Sequence, residues 1–186
     1  MKEFIFTWSI ENISYSWYKT LDYIVSPTFI AGPMQNSAWS LKLYPRGRDD
    51  SDFLSLYLSR EKDSVSRIIA VNFEFSCISA DTSKSHLCFI LEAFKTFANS
   101  GYVGCGESCF MKRHEVFDRR KDFYLPQDIL TLQCRMWKRN KDVDEFGQSF
   151  GRTRLTIERL SLVENISPTS AVIQKVFIKS KCQNEN

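Results

Sequence analysis

The chain has 186 residues, with 25 Lys+Arg against 22 Asp+Glu and a formal charge of +3. Apolar residues make up 43% and aromatics 14%, too much for a disordered chain. No run approaches the roughly 18 apolar residues of a membrane-spanning helix, so the expectation is one folded domain, with or without an appendage, and no membrane partner.

Phe4 to Ile10 reads as the opening strand. Its apolar stretch breaks too early for a signal peptide, which predicts a nuclear or cytoplasmic protein with reduced thiols. Trp39 to Tyr44 and Phe53 to Leu58 read as two further strands. In the second, Leu54, Leu56 and Leu58 share one face, and Phe53, Ser55 and Tyr57 share the other. Ile69, Val71, Phe73, Phe75 and Cys77 then alternate with Ala70, Asn72, Glu74 and Ser76. Leu87 to Phe94 makes a later strand. Pro126 with Asp128 predicts a turn or short helix, after which Leu130, Leu132, Cys134 and Met136 alternate with polar residues. Gly32-Pro33, Pro45-Arg46-Gly47, Asp49-Asp50 and Ala80-Asp81 supply turns. There is no long amphipathic helix, and this alternation marks half-buried antiparallel strands of an all-β sandwich.

The pattern changes after residue 138. Residues 139–151 are polar and charged, with Gly147 and Gly151, and read as a linker or hairpin. Residues 152–186 read as a short extension with strand-like segments at 153–163 and 171–178 and a frayed end.

Little of this sequence suggests catalysis. The chain has two histidines, His86 and His114, and no Gly-x-Ser-x-Gly elbow, so no enzyme is expected. Cys105, Cys109 and His114 offer three local metal ligands where structural zinc wants four, so ordinary thiols and no metal or other cofactor are expected. The basic clusters at 112–113, 119–121 and 138–141 are short and neighbour acids, which argues against a nucleic-acid partner. The glycines of 101–106 lack the ending of a phosphate loop and suit a sharp turn or close approach to a neighbouring backbone. More telling is the Phe53–Leu58 strand, apolar on both faces. Such a strand is either covered or offers an aromatic groove, beside exposed strand backbone, to an extended peptide.

Seven segments, in order, carry a family resemblance: Phe6 to Ser14, Ser26 to Phe29, Trp39 to Gly47, Phe53 to Leu58, Phe73 to Ser76, Phe110 to Arg113 and Leu125 to Cys134. Together they resemble the MATH (TRAF-like) domain, most closely that of speckle-type POZ proteins, over roughly residues 4–137. The resemblance implies an eight-stranded antiparallel β-sandwich at 1–138 that catalyses nothing. It implies binding of short linear peptide motifs, Ser/Thr-rich degrons of substrate proteins. A following BTB/POZ domain would recruit a cullin for ubiquitination, and residues 139–186 are too few to contain one. The chain is therefore expected to be a fragment, a diverged relative, or a stand-alone binder that competes with full-length adaptors. A TRAF-type adaptor for receptor tails is the alternative, less favoured because nothing before residue 4 leaves room for a coiled coil.

The resemblance also implies a peptide groove. Its tyrosine matches Tyr57, a phenylalanine matches Phe73, and a further aromatic matches Phe94. The family's tryptophan and second phenylalanine fall on Cys105 and Glu107, with Tyr102 replacing the tryptophan if the loop carries an insertion. Exchanging an aromatic wall for a thiol and a carboxylate removes apolar area and adds negative charge, which is expected to weaken binding of the standard degron and to favour a basic or different peptide.

Overall fold

β-Branched and aromatic residues alternating with polar ones make strands with one dry face, and two such faces must meet to form a core. The computed structural model describes residues 1–16, 18–65, 68–79, 86–89, 95–98, 104–138, 144–164 and 173–185. Its strands are β1 (Lys2–Glu11), β2 (Ile24–Val25), β3 (Phe29–Ala31), β4 (Ser37–Tyr44), β5 (Phe53–Arg60) and β6 (Ile68–Ile78), followed by β7 (His86–Phe89), β8 (Lys95–Ala98), β9 (Cys105–Lys112), β10 (Ile129–Lys138), β11 (Glu145–Glu164) and β12 (Ile173–Glu185). A seven-stranded sheet runs β12-β11-β1-β10-β6-β7, with β8 also on β6, and faces a five-stranded sheet, β2-β4-β5-β9, with β3 also on β4.

The inner faces are those the alternation predicts. Phe4, Phe6, Trp8 and Ile10 of β1 meet Trp39, Leu41 and Leu43 of β4 in one core with Leu54, Leu56 and Leu58. Val71, Phe73 and Phe75 of β6 and Leu130, Leu132, Cys134 and Met136 of β10 complete it. Each fully buried side chain of this size contributes about 1.5–3 kcal/mol relative to exposure. Rings order the interior: Phe29 stacks on Phe6 at 4.0 Å, and Phe97 meets Trp39 edge-on at 4.9 Å. The predicted turn before β10 is a 3-10 helix over Pro126–Asp128.

The expected all-β sandwich is present, with two features that alternation did not show. The short strands β2 and β3 flank Pro27 and are too brief for alternation to reveal. More consequentially, β11 pairs with β1 in parallel, Lys2 opposite Glu145 through Glu11 opposite Arg154. Of the segment read as a linker or hairpin, residues 145–151 are thus strand, and residues 139–143 lie outside the described ones. The expected frayed end pairs in β12 as far as Glu185, opposite Arg152.

The physical reason for β11 lies in its inward residues. Gly147 and Gly151 pass over the rings of Phe4 and Phe6, where added Cβ atoms would come within 2.8 and 2.9 Å of ring carbons. They are glycine because the core rings leave no room, not because the chain must flex. Side chains fasten the strand. Trp8 Nε1 donates to Thr153 Oγ1 at 2.8 Å, Asn12 Nδ2 donates to the Leu155 carbonyl at 3.0 Å, and Glu11 pairs with both Arg152 and Arg154.

Among the described residues one charged side chain is buried. Arg60, at 2% exposure, faces inward at the end of β5. It reaches both carboxylate oxygens of Asp63, at 3.3 and 2.9 Å, and the Phe97 carbonyl at 3.2 Å.

Candidate functional site

The outer face of the five-stranded sheet holds Tyr57. On β5 the leucines turn inward, so Ser55, Tyr57 and Ser59 turn outward. Register places Lys42 opposite Tyr57 and Tyr44 opposite Ser55, so Lys42 and Tyr44 share that face. Tyr57 and Tyr44 meet edge-on at 5.6 Å, and Tyr44 and Tyr23 meet at 5.3 Å. Arg48 stands over the Tyr57 ring at 5.0 Å, and Lys42 over the Tyr23 ring at 5.7 Å. The result is a row of three tyrosines with a cation at each end.

Its walls are built from backbone. The Arg48 amide donates to Ser55 Oγ at 3.0 Å, and that hydroxyl donates to the Ser108 carbonyl at 2.6 Å. This chain of bonds draws the β4–β5 connection and β9 together around β5. Gly106 lies opposite Tyr57, and a Cβ there would come 2.1 Å from the Leu56 carbonyl oxygen. The close-approach reading of this glycine segment therefore holds at Gly106. Burial raises the phenol pKa values of Tyr57 and Tyr44 above the ordinary value, an effect Arg48 only partly offsets. Both phenols are neutral at physiological pH and able to donate a hydrogen bond.

The expected site residues divide. Tyr57 is half-buried on this face, at the Arg48 end of the row. Phe73 is fully buried on the inner face of β6, packed on Phe75 at 5.2 Å and Phe97 at 6.0 Å, so its ring supports the core and not the surface. Cys105 pairs with Leu58 and packs against the core. Burial pushes its thiol pKa up, with Lys95 partly opposing. Glu107 sits in an irregular stretch of β9, where its carboxylate accepts the Cys109 amide at 3.0 Å. Phe94 and Tyr102 lie outside the described residues. Tyr23, Lys42, Tyr44 and Arg48 were not anticipated. Parity along Trp39–Tyr44 puts Lys42 and Tyr44 outward, but only the β4–β5 register brings them to Tyr57.

Among the described residues no three His, Cys, Asp or Glu side chains converge as metal ligands, and no helix is long and apolar enough to cross a membrane.

Comparison with known proteins agrees with this architecture. Residues 5–136 match the family model of the MATH domain. The mouse (Mus musculus) TD and POZ domain-containing protein 1-like is 30% identical over 140 residues, covering 73% of this chain and 36% of that protein. Mouse TD and POZ domain-containing protein 3 is 29% identical over the same coverage. The chain thus spans about a third of the curated relatives it matches. Among solved structures, Notothenia coriiceps TRAF5 superposes with a TM-score of 0.59 over 75% of each chain at 15% identity, a likeness of fold. The match runs from β1 through β10, the strands that build the sandwich and carry the tyrosine face, and the chain belongs to the MATH domain family, whose members are protein-interaction modules.

Proposed function

We propose that the tyrosine face binds short extended peptide segments of partner proteins. One observation carries the reading: Tyr23, Tyr44 and Tyr57 form a contiguous aromatic row beside the bare backbone at Gly106. Aromatic rings give an extended peptide apolar area at little entropic cost, and neutral phenols with strand backbone supply hydrogen bonds. Lys42 and Arg48 stand over the rings, and at Tyr57 the charge of Arg48 is felt more strongly than that of Asp49 or of Glu107, which keeps its charge while accepting the Cys109 amide. The face therefore favours neutral and acidic segments over basic ones, the reverse of the preference expected from Glu107 alone. Joined to a POZ domain of the kind named in its mouse relatives, such a face selects which proteins a cullin-based ubiquitin ligase modifies.

The test is fluorescence-anisotropy titration of Ser/Thr-rich peptides in neutral, acidic and basic versions. Tyr57→Ala is expected to weaken binding about tenfold or more, as truncation of an aromatic anchor does. Arg48→Ala is expected to lower the acidic-over-basic preference while sparing neutral peptides. Absence of saturable binding by a folded chain refutes the reading.

A further inference from the structure

The three tyrosines of the outer face do not follow one strand. Tyr23 immediately precedes β2, and the pairing of Ile24 with Leu43 sets it opposite Tyr44. Tyr44 in turn lies opposite Ser55, and Tyr57 stands two residues further along β5. The row therefore runs obliquely across β2, β4 and β5. Its rings are tilted by 50° and 77° at centroid separations of 5.3 and 5.6 Å, so they do not stack and leave a cleft on each side of Tyr44. The Leu21 amide donates to the Gly47 carbonyl at 3.2 Å, which ties the segment leading to Tyr23 to the turn after Tyr44 and holds the row in place.

The direction of the row limits what can lie along it. Backbone groups of a sheet point sideways at neighbouring strands, so a peptide crossing the face meets side chains and not a ladder of N–H and C=O groups. A β-strand laid there leaves its amides without ladder partners. A polyproline II segment has no such need, because its backbone makes no internal hydrogen bonds and each proline lacks the N–H altogether. Its carbonyls still accept hydrogen bonds, and the neutral phenols of Tyr44 and Tyr57 can donate them. The Arg48 side chain donates to the Tyr57 hydroxyl oxygen, which leaves that phenol proton free. The rise fits as well, since one X-Pro dipeptide of this helix advances about 6 Å, close to the step between neighbouring rings. Each outer ring also carries a cation, Lys42 at Tyr23 and Arg48 at Tyr57, and neither is in an ion pair among the described residues.

We infer that the tyrosine face reads a proline-rich segment in the polyproline II conformation, with two successive X-Pro dipeptides seated on either side of Tyr44 and acidic residues flanking them at Lys42 and Arg48. The inference rests on the reading that this face binds peptides, and it names the class of peptide. Aromatic-lined grooves suit such helices because the segment is already extended when free and loses little entropy on docking. The flanking acids meet unpaired cations, which sets the charge that the segment must carry.

Fluorescence-anisotropy titration of the full chain tests this with a labelled peptide of two successive Ala-Pro dipeptides flanked by glutamates. The comparison peptides are the same sequence with alanine for proline, and a Ser/Thr-rich peptide of equal length and charge. The proline peptide is expected to bind about tenfold tighter than either. Tyr44→Ala removes the wall shared by both clefts and is expected to abolish that advantage. Tyr44→Phe keeps the ring and its packing but removes the donor, and is expected to weaken the proline peptide about fivefold. Equal binding of the proline and alanine peptides, or a proline advantage that survives Tyr44→Ala, overturns the inference. Saturable binding of the Ser/Thr-rich peptide in that case leaves the broader peptide reading standing. Binding of none of the three defeats both.

Discussion

Replacing Arg60 by alanine is expected to lower folding stability by about 3–5 kcal/mol, the loss typical of breaking a buried ion pair by removing one partner. Arg60 is at 2% exposure, so its removal leaves the Asp63 carboxylate in a site with little access to water. It also frees the Phe97 carbonyl, on the strand whose ring packs edge-on against Trp39. Burial pulls the Asp63 pKa upward. The Arg60 hydrogen bond, the amides of Ala38 and Val65 and the Arg60 charge together outweigh it and hold the carboxyl below its ordinary value. A carboxyl depressed on folding stabilises the native state above its unfolded pKa of about 3.9, and that contribution is lost as pH falls through the folded value. The deficit of Arg60→Ala is therefore largest at neutral pH and narrows below about pH 4, where Asp63 is neutral in the variant. Urea unfolding at pH 7 and pH 3 measures both. Arg60→Met/Asp63→Asn, which removes the unpaired charge and keeps an acceptor for the two amides, is expected to recover most of the loss. Equal deficits at the two pH values, or a loss under about 1 kcal/mol, contradict this account and place the pair among weak surface bridges.

The sandwich was legible because its signal is local. β6 and β10 need only their own alternation to declare which face is dry, and their buried faces are those so declared. Arg60 shows where that logic runs out. It follows Leu58 on the inward parity of β5, and nothing local says that Asp63 and the Phe97 carbonyl will satisfy it. The candidate site was legible to a lesser degree for the same reason. Tyr57 is outward by parity, but its neighbours depend on register, which the turn after Tyr44 decides. Phe73 obeys the alternation of β6, and that alternation alone places it in the core. The match that assigned it to a groove concerned a role and not a direction.

β11 was the hardest element to read, and Gly151→Val tests why. Glycine and charge between residues 139 and 151 signal a linker when taken by composition. In the fold the same glycines are the inward positions of a strand laid over phenylalanine rings. A Cβ at residue 151 comes within 2.9 and 3.1 Å of Phe6 ring carbons and 3.1 Å of Pro27 Cγ. Phe6 cannot give way, since it is 1% exposed and stacked on Phe29 at 4.0 Å. Overpacking of this kind costs about 1–3 kcal/mol, and here the softer response is for β11 to lift from β1. Gly151→Val is therefore expected to lower the melting temperature and to speed hydrogen exchange of the β11 amides near Thr153. The amides of β4 and β5, in the other sheet, are expected to keep their protection. The outward neighbour supplies the control. Phe150→Lys, one residue away but on the exposed face, is expected to leave β11 exchange and the melting temperature unchanged. If both substitutions are silent, residues 145–151 are a tether and not a strand of the sandwich. If Gly151→Val alone is disruptive, β11 is part of the sandwich, and alternation of effect along it is the mark of a strand.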